Sequence, residues 1–259
     1  MLAEKPHVLV ISGLDPSGGA GIQADIQAIT ALGAHPLPII SCLTVQDTIN
    51  VHGAEPVSAE LIRKQLQCLA ADIPIHAVKT GALGDATVVR ELSAFLRQRE
   101  RLPLVVDPVI KAAGGGDLAD ETLLSAMFSE LFPLADVLTP NGPELQQLGE
   151  HEQEADAARN LLKSGCNAVL ATGGHGTGHH IENILYRADG STENWQLKRV
   201  GGEYHGSGCT LAAGISAGLA AGQSLEEAIE RAQNFVAASI QRAQKVGAGQ
   251  PVPNREQPR

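Results

Sequence analysis

The chain of 259 residues has no paired cysteines. Cys42, Cys68, Cys166 and Cys209 stand far apart and form no CxxC, so neither a zinc site nor a disulfide framework is indicated. The protein therefore reads as reduced and cytoplasmic. Basic charge is also scarce. A formal net charge of -10 and a pI near 5.3 leave no footprint for nucleic acid or an anionic membrane, so neither is expected as a partner. Any phosphate ligand must then be held by local groups. No charged start leads into an apolar signal core, and no apolar run approaches membrane-spanning length. Internal repeats are absent too.

What remains is a chain that is 43% hydrophobic, enough to bury a large core. Residues 1–246 read as one α/β domain and 247–259, rich in Pro, Gln and Arg, as a flexible C-terminal tail. Predicted strands at His7–Ser12, Pro38–Thr44, Ile75–Thr80, Leu104–Asp107, Val137–Thr139 and Ala168–Thr172 alternate with helical stretches at Ile22–Leu32, Ser58–Ala71, Thr87–Arg99, Glu121–Phe132 and Ala155–Lys163. A hairpin at Ile184–Arg187 and Trp195–Arg199 turns on Asp-Gly, and two helices, Leu211–Ala221 and Leu225–Lys245, follow. That alternation predicts a mostly parallel sheet covered on both faces.

The chemistry gathers at strand ends. His205–Thr210, HGSGCT, runs directly into an apolar small-residue helix. Glycines there leave consecutive amides free to point at one spot, and the helix dipole adds positive charge, which makes an anion site. Cys209 falls in the first turn, where the same field favours thiolate. The letters also fit a plain glycine-rich strand-to-helix turn with a small buried cysteine. A cysteine redox role fails for want of a resolving partner nearby in sequence.

After the first strand, GLDPSGGAG contains no Lys-Ser or Lys-Thr pair and matches neither a Walker loop nor the dinucleotide fingerprint. Gly18, Gly19 and Gly21 allow close backbone approach to a ligand. Asp15 and Asp25 bracket the loop as ligand groups, or as helix caps and solvated charges. Gln46, at the end of a strand, offers an amide that suits a heterocycle edge. Asp107 at a strand tip is a magnesium or phosphate-side position. Gly114–Gly116 reads as a flap or flexible loop, and Pro140 and Pro143 stiffen the turn carrying Asn141 and Glu144. His175, His179 and His180 lack ligands at metal spacing and read as a glycine-rich turn.

Four motifs together carry a resemblance: GLDPSGGAGIQAD at Gly13–Asp25, TVQDT at Thr44–Thr48, TPNGPE at Thr139–Glu144, and HGSGCT. In order and spacing the chain resembles the hydroxymethylpyrimidine and phosphomethylpyrimidine kinases of thiamine biosynthesis, in the ribokinase-like superfamily. Cys209 is the letter that sets these apart from most sugar kinases of the superfamily, which carry Asp there. The resemblance implies a three-layer α/β/α fold with a central mostly parallel sheet. It also implies ATP and Mg2+ as cofactors, a homodimer, and phosphoryl transfer to 4-amino-5-hydroxymethyl-2-methylpyrimidine, then to its monophosphate.

By matching positions, Gly13, Asp15, Ala20, Asp25, Gln46, Ala82 and Val109 would bind the pyrimidine. Asp107, Thr139, Asn141, Thr172, Gly174 and His175 would bind the nucleotide, with Asp107 and Glu144 at the metal. Gly206, Ser207, Gly208 and Cys209 would be catalytic, Cys209 as base. Ala82 stands where the family has Met. A Lys common after the DPV segment is missing, with Lys111 and Ala113 in that loop, and Thr172 replaces the usual Lys before the glycine pair. No thiamine-phosphate synthase segment is read, so condensation with the thiazole is expected to fall to another protein. A vitamin B6 kinase is the nearest alternative function, and a non-catalytic pyrimidine sensor is one of a different class.

Overall fold

The computed structural model describes residues 4–111, 118–175 and 178–256. The first strand, β1 (His7–Leu14), is central, and its side chains alternate between two apolar faces. Val8 and Val10 pack into one cluster, Leu9 and Ile11 into another. A strand buried on both faces needs apolar residues at every position, which is why HVLVI reads as a continuous hydrophobic run.

The full sheet has nine strands: β1 is joined by β2 (His35–Gln46), β3 (Val51–Pro56), β4 (Ala77–Thr80), β5 (Leu104–Val106), β6 (Val137–Leu138), β7 (Ala168–Thr172), β8 (His180–Arg187) and β9 (Thr192–Lys198). Their spatial order is β3-β2-β1-β4-β5-β6-β7-β8-β9. The six from β2 to β7 run parallel, while β3 at one edge and β8 and β9 at the other are antiparallel. All six parallel strands therefore end on one edge, where ligands of open α/β sheets collect.

Helices α2 (Ala59–Asp72), α3 (Ala86–Arg97), α4 (Glu121–Ala126), α5 (Gly142–Gly149) and α6 (Glu154–Leu162) cover one face. The other face is covered by α1 (Gly21–Ala31), α7 (Ser207–Ala220) and α8 (Leu225–Gln241). This is the expected three-layer α/β/α fold. Helix α7 is buried on nearly every side, as its apolar, small-residue sequence requires. A Cβ on Gly214 would meet Ala232 Cβ at 2.9 Å and one on Gly218 would meet Ala228 Cβ at 2.7 Å. Glycine at these two positions lets α8 lie against α7 and holds the start of α7 firmly beneath the strand ends.

Three elements differ from expectation. The stretch expected to be helical over Glu121–Phe132 leaves the α conformation at Met127, passing through a π turn and a 3-10 turn. Pro133 cannot donate and its ring would collide with the preceding turn, so the helix cannot run through it. The turn at Pro140–Pro143 opens helix α5 instead of a loop, because Pro143 sits in the first turn, where a missing N–H costs nothing. The described part of the tail, up to Glu256, is not loose: Val252 and Arg255 are buried, and Gln244 and Val252 exchange two backbone hydrogen bonds of 2.9 Å. Gly114–Gly116 and Ala113 lie outside the described residues.

Candidate active site

Two glycine turns face each other at the sheet edge. In the first, after β1, Asp15 folds back on its own loop. Its Oδ1 accepts from Ser17 N–H at 2.8 Å, and its Oδ2 from Gly19 N–H at 3.1 Å and Ala20 N–H at 2.8 Å. The His205 ring adds a fourth bond, Nε2 to Oδ2 at 2.8 Å. Burial alone would raise the pKa of this carboxyl, but the bonds from His205, Ser17 and Ala20 outweigh it and hold the pKa down to about 2. Gly19 is obligatory, since a Cβ there would sit 2.2 Å from His205 Cδ2. The Gln46 carboxamide nitrogen lies 3.1 Å from the same His205 Nε2, and Thr44 donates its hydroxyl to Gln46 Oε1 at 3.1 Å.

The second turn is built oppositely. Gly206 is left-handed, with φ 82°, and the start of α7 carries no side-chain cap. Ser207 spends its hydroxyl on Tyr204 O at 3.2 Å, and Thr210 donates to Gly206 O at 2.7 Å. Among the described residues the amides of Ser207, Gly208 and Cys209 meet no protein acceptor, and all three residues line the cleft. Three orphan donors with the helix dipole behind them form an anion site.

Beneath this turn lies a buried charge cluster. Lys79, in the middle of β4 and fully buried, reaches Asp25 at 2.8 and 3.0 Å and lies 3.9 Å from Asp107 Oδ2. Burial would lower the lysine's pKa, but Asp25 foremost, with Cys209 and Asp107, together more than reverse it, so Lys79 is charged. Asp25 is completely buried and does not line the cleft. It therefore acts as the counter-ion of Lys79, not as a ligand group, correcting the position expected for it.

Cys209 corrects a second expectation. The thiol bonds to Asp107 and to the Gly21 backbone, and its pKa is pushed up to about 12, first by burial and then by the Asp107 carboxylate. These outweigh Lys79 and the helix dipole, so in the ligand-free protein Cys209 is a thiol, not a thiolate.

Asp107 and Glu144 face a shortage of positive charge. Burial and the neighbouring Asp107 raise Glu144 to about 8, and burial raises Asp107 as well, with Lys79 offsetting only part. Asn141 and Glu144 form a capping box for α5: Asn141 Oδ1 accepts from Glu144 N–H at 2.9 Å and Glu144 Oε2 from Asn141 N–H at 3.0 Å. Asp107 Oδ2 and Thr139 Oγ1 are buried with no hydrogen-bond partner among the described residues. Among the described residues no cluster of three or more His, Cys, Asp or Glu could hold a metal by itself.

The cleft between these groups has a volume of about 560 Å³ and is continuous from Gly13, Asp15, Ala20, Gln46, Ala82 and Val109 to Thr139, Asn141, Thr172 and Gly174. At the far end Val236, Ala237 and Ile240 of α8 give it an apolar wall. Arg199 fixes the glycine loop there, donating to the carbonyls of Gly173, Gly174 and Gly178. Thr172 donates its hydroxyl to Pro140 O at 3.3 Å. The side chain of His175 lies outside the described structure. His179 and His180 are exposed and stand apart from the cleft.

Sequence reasoning passed over Lys79, Arg199, Arg255 and the role of His205. A lone Lys inside the apolar run IHAVKT was a legible signal, and His205 heads a motif already singled out. Arg255 stands in a proline-rich stretch that carries no such cue.

A family model described as phosphomethylpyrimidine kinase matches residues 15–254. The chain is 38% identical over 247 residues to the thiamine biosynthesis bifunctional protein ThiED of Geobacter sulfurreducens, covering 93% of this chain and 50% of that protein. It thus spans only half the length of that relative. It is 35% identical over 252 residues to the hydroxymethylpyrimidine/phosphomethylpyrimidine kinase of Haemophilus influenzae, covering 94% of each. Among solved structures it is similar to the pyridoxal kinase of Staphylococcus aureus in complex with AMP-PCP, with TM-score 0.88 and 28% identity over 98% of this chain and 94% of that one.

Proposed function

The chain belongs to the phosphomethylpyrimidine kinase family, and from that premise we propose that it moves the γ-phosphoryl group of ATP onto the hydroxymethyl oxygen of 4-amino-5-hydroxymethyl-2-methylpyrimidine. A second transfer, to the monophosphate, completes a step of thiamine biosynthesis. The observation that carries this reading is the uncapped turn at Ser207, Gly208 and Cys209, whose amides meet no acceptor among the described residues. A phosphoryl group in flight spreads charge over three oxygens, and fixed donors aimed at them supply most of what such a transfer needs.

The other groups take roles that fit their surroundings. Buried Asp15 and His205 and half-buried Gln46 form a polar edge at one end of the cleft, able to donate to and accept from a pyrimidine ring. Ala82, smaller than the family's Met, leaves space above it. The carbonyl-pinned loop at Thr172–Gly174 and the apolar wall from α8 would hold the adenosine. AMP-PCP, an analogue of ATP, occupies the Staphylococcus aureus relative.

Asp107 and Glu144 fit a divalent cation, because burial raises both carboxyls, with Lys79 offsetting only part at Asp107, and among the described residues Asp107 Oδ2 has no hydrogen-bond partner. Mg2+ takes one or two carboxylates and completes its shell with water and phosphate oxygens, so no larger cluster is required. When bound it neutralises charge on the transferring phosphates. In the loaded complex, with the charge of Asp107 offset, the Cys209 thiol would first give its proton to solvent, and the resulting thiolate would take the hydroxyl proton as the oxygen–phosphorus bond forms and ADP departs.

Pyridoxal kinase activity is the second reading, favoured by the likeness to the Staphylococcus aureus enzyme. Turnover of ATP by the purified chain with Mg2+ and either the pyrimidine alcohol or pyridoxal, resolving mono- from diphosphate product, separates the two. Preference for pyridoxal overturns the first reading, and no turnover with either alcohol favours a pyrimidine sensor. Pairing of two copies is proposed at the β2–β3 edge, where Leu43, Val45 and Ile49 are exposed together. Among the described residues no helix is long and apolar enough to cross a membrane.

A further inference from the structure

The last residues of the described chain cross three loops of the site. Gln250 N–H donates to Thr48 O at 3.2 Å, and His205 N–H donates to Pro251 O at 3.0 Å. The crossing finishes in a buried cation. Arg255 is 3% exposed, and its guanidinium reaches four acceptors, on the β1 loop, on α1 and at the start of α7. Nη2 donates to Gly19 O at 2.6 Å and Gly206 O at 3.3 Å, Nε to Thr210 Oγ1 at 2.8 Å, and Nη1 to Gln27 Oε1 at 3.1 Å. All four acceptors are neutral, so the charge is buried for something other than an ion pair.

Geometry explains what the fork does. In a planar trans peptide the carbonyl and the following N–H point opposite ways. Holding Gly19 O turns the Ala20 N–H toward Asp15 Oδ2, where it donates at 2.8 Å. Holding Gly206 O turns the Ser207 N–H away from the arginine, and Ser207 lines the cleft. Gly206 tolerates no side chain in this arrangement, since a Cβ would lie 2.1 Å from Gly19 O and 2.8 Å from Arg255 Nη2. One rigid planar group thus clamps the self-bonded loop to the open one.

We propose that Arg255 is a positioning residue for phosphoryl transfer. It fixes the peptide planes 19–20 and 206–207 as one unit and so sets the distance between the acceptor alcohol and the amides that receive the phosphoryl group. The claim rests on the kinase reading of the site. Lysine carries the same charge but cannot span these acceptors as a fork.

The test compares wild type with Arg255→Lys and Arg255→Ala by steady-state kinetics and by hydrogen–deuterium exchange. Arg255→Lys is expected to lower kcat by about 10- to 100-fold, the range for a misplacement near 1 Å. Its KM for MgATP should stay within about twofold, because Arg199 and α8 shape the nucleotide end without touching Arg255. Exchange at residues 17–20 and 206–209 should rise about tenfold or more, while β4 and β5 stay protected. Added guanidinium should restore part of the activity of Arg255→Ala, and methylammonium should not.

A kcat within about twofold of wild type in Arg255→Lys overturns the proposal. So does exchange that rises across the whole sheet, which marks a merely structural role. Should Arg255→Ala not fold, Arg255→Lys carries the test alone. Should wild type phosphorylate neither alcohol, the kinase reading fails, and local exchange at the two loops still decides whether Arg255 clamps them.

Discussion

Two turns that look alike as letters, GLDPSGGAG and HGSGCT, behave as opposites in the fold. In the first, Asp15 consumes the amides of Ser17, Gly19 and Ala20, so the loop is a closed unit with its charge already satisfied. In the second no side chain caps α7, and three amides are left for a ligand. Glycine content does not make an anion site. The side chain that does or does not return to the loop decides it, because an amide already bonded to a carboxylate has nothing left to offer an incoming phosphate.

The strongest way to break this contrast is to add one methyl group to each turn. Gly206→Ala meets Gly19 O at 2.1 Å with a left-handed φ of 82°, so the turn must shift. A loss of about 10²- to 10³-fold in kcat is expected, as for a lost oxyanion donor. Gly18→Ala, at φ 76°, has nothing nearer than Gln23 Cγ at 3.9 Å. It should cost only the ~1–2 kcal/mol of a left-handed alanine, read as a lowered Tm, with kcat close to wild type. Equal kinetic damage from both would erase the distinction.

Cys209→Ala removes the sulfur and leaves the amides. Steady-state assays should show kcat reduced about 10²-fold, the low end for losing a general base. Near-normal turnover would assign the whole effect of the turn to its backbone.

Asp15→Asn opens the closed loop. The folded pKa of Asp15, about 2, lies below the ordinary value of 3.8, so its stabilisation is complete above pH 4 and is lost as the pH falls toward 2. Denaturant unfolding at pH 7 should find the variant less stable by roughly 2 kcal/mol, with the gap to wild type closing between pH 4 and 2. A gap that does not change with pH would show that shape, not charge, holds the loop.

The effect expected at Glu144 has the opposite sign. Its folded pKa of about 8 exceeds the usual 4.5, so ionising it costs stability increasingly as pH rises from 4.5 through 8. Glu144→Gln should raise the Tm of the metal-free protein, by about 2–4 °C for each kcal/mol gained, at pH 8 and hardly at pH 5. Calorimetry should also find weaker Mg2+ binding by the variant in the presence of nucleotide. Unchanged Mg2+ binding would remove Glu144 from the cation site.

Much of the fold was legible because it follows from periodicity. Strand runs such as HVLVIS and the helix cap at Ser58 are local, and the structure keeps them. The edge strand β3 and helix α5 were not, since VHGAEP is exposed and unpatterned and the prolines around Asn141 look like a turn until the Asn141–Glu144 capping box forms. The cleft-lining residues could be read from their motifs. Asp25 could not be told from a ligand group until Lys79, 54 residues away, was seen against it. The same holds for Cys209, whose letters promise a helix dipole and say nothing of the Asp107 carboxylate that opposes it.

Amide NMR of the isotope-labelled protein tests the central claim most directly, on adding MgADP, aluminium fluoride and the pyrimidine alcohol as a mimic of the phosphoryl group in transit. The account predicts large downfield shifts for the N–H resonances of Ser207, Gly208 and Cys209 and little change at Ser17, Gly19 and Ala20. Shifts confined to the β1 loop, or silent amides at the start of α7, would contradict it.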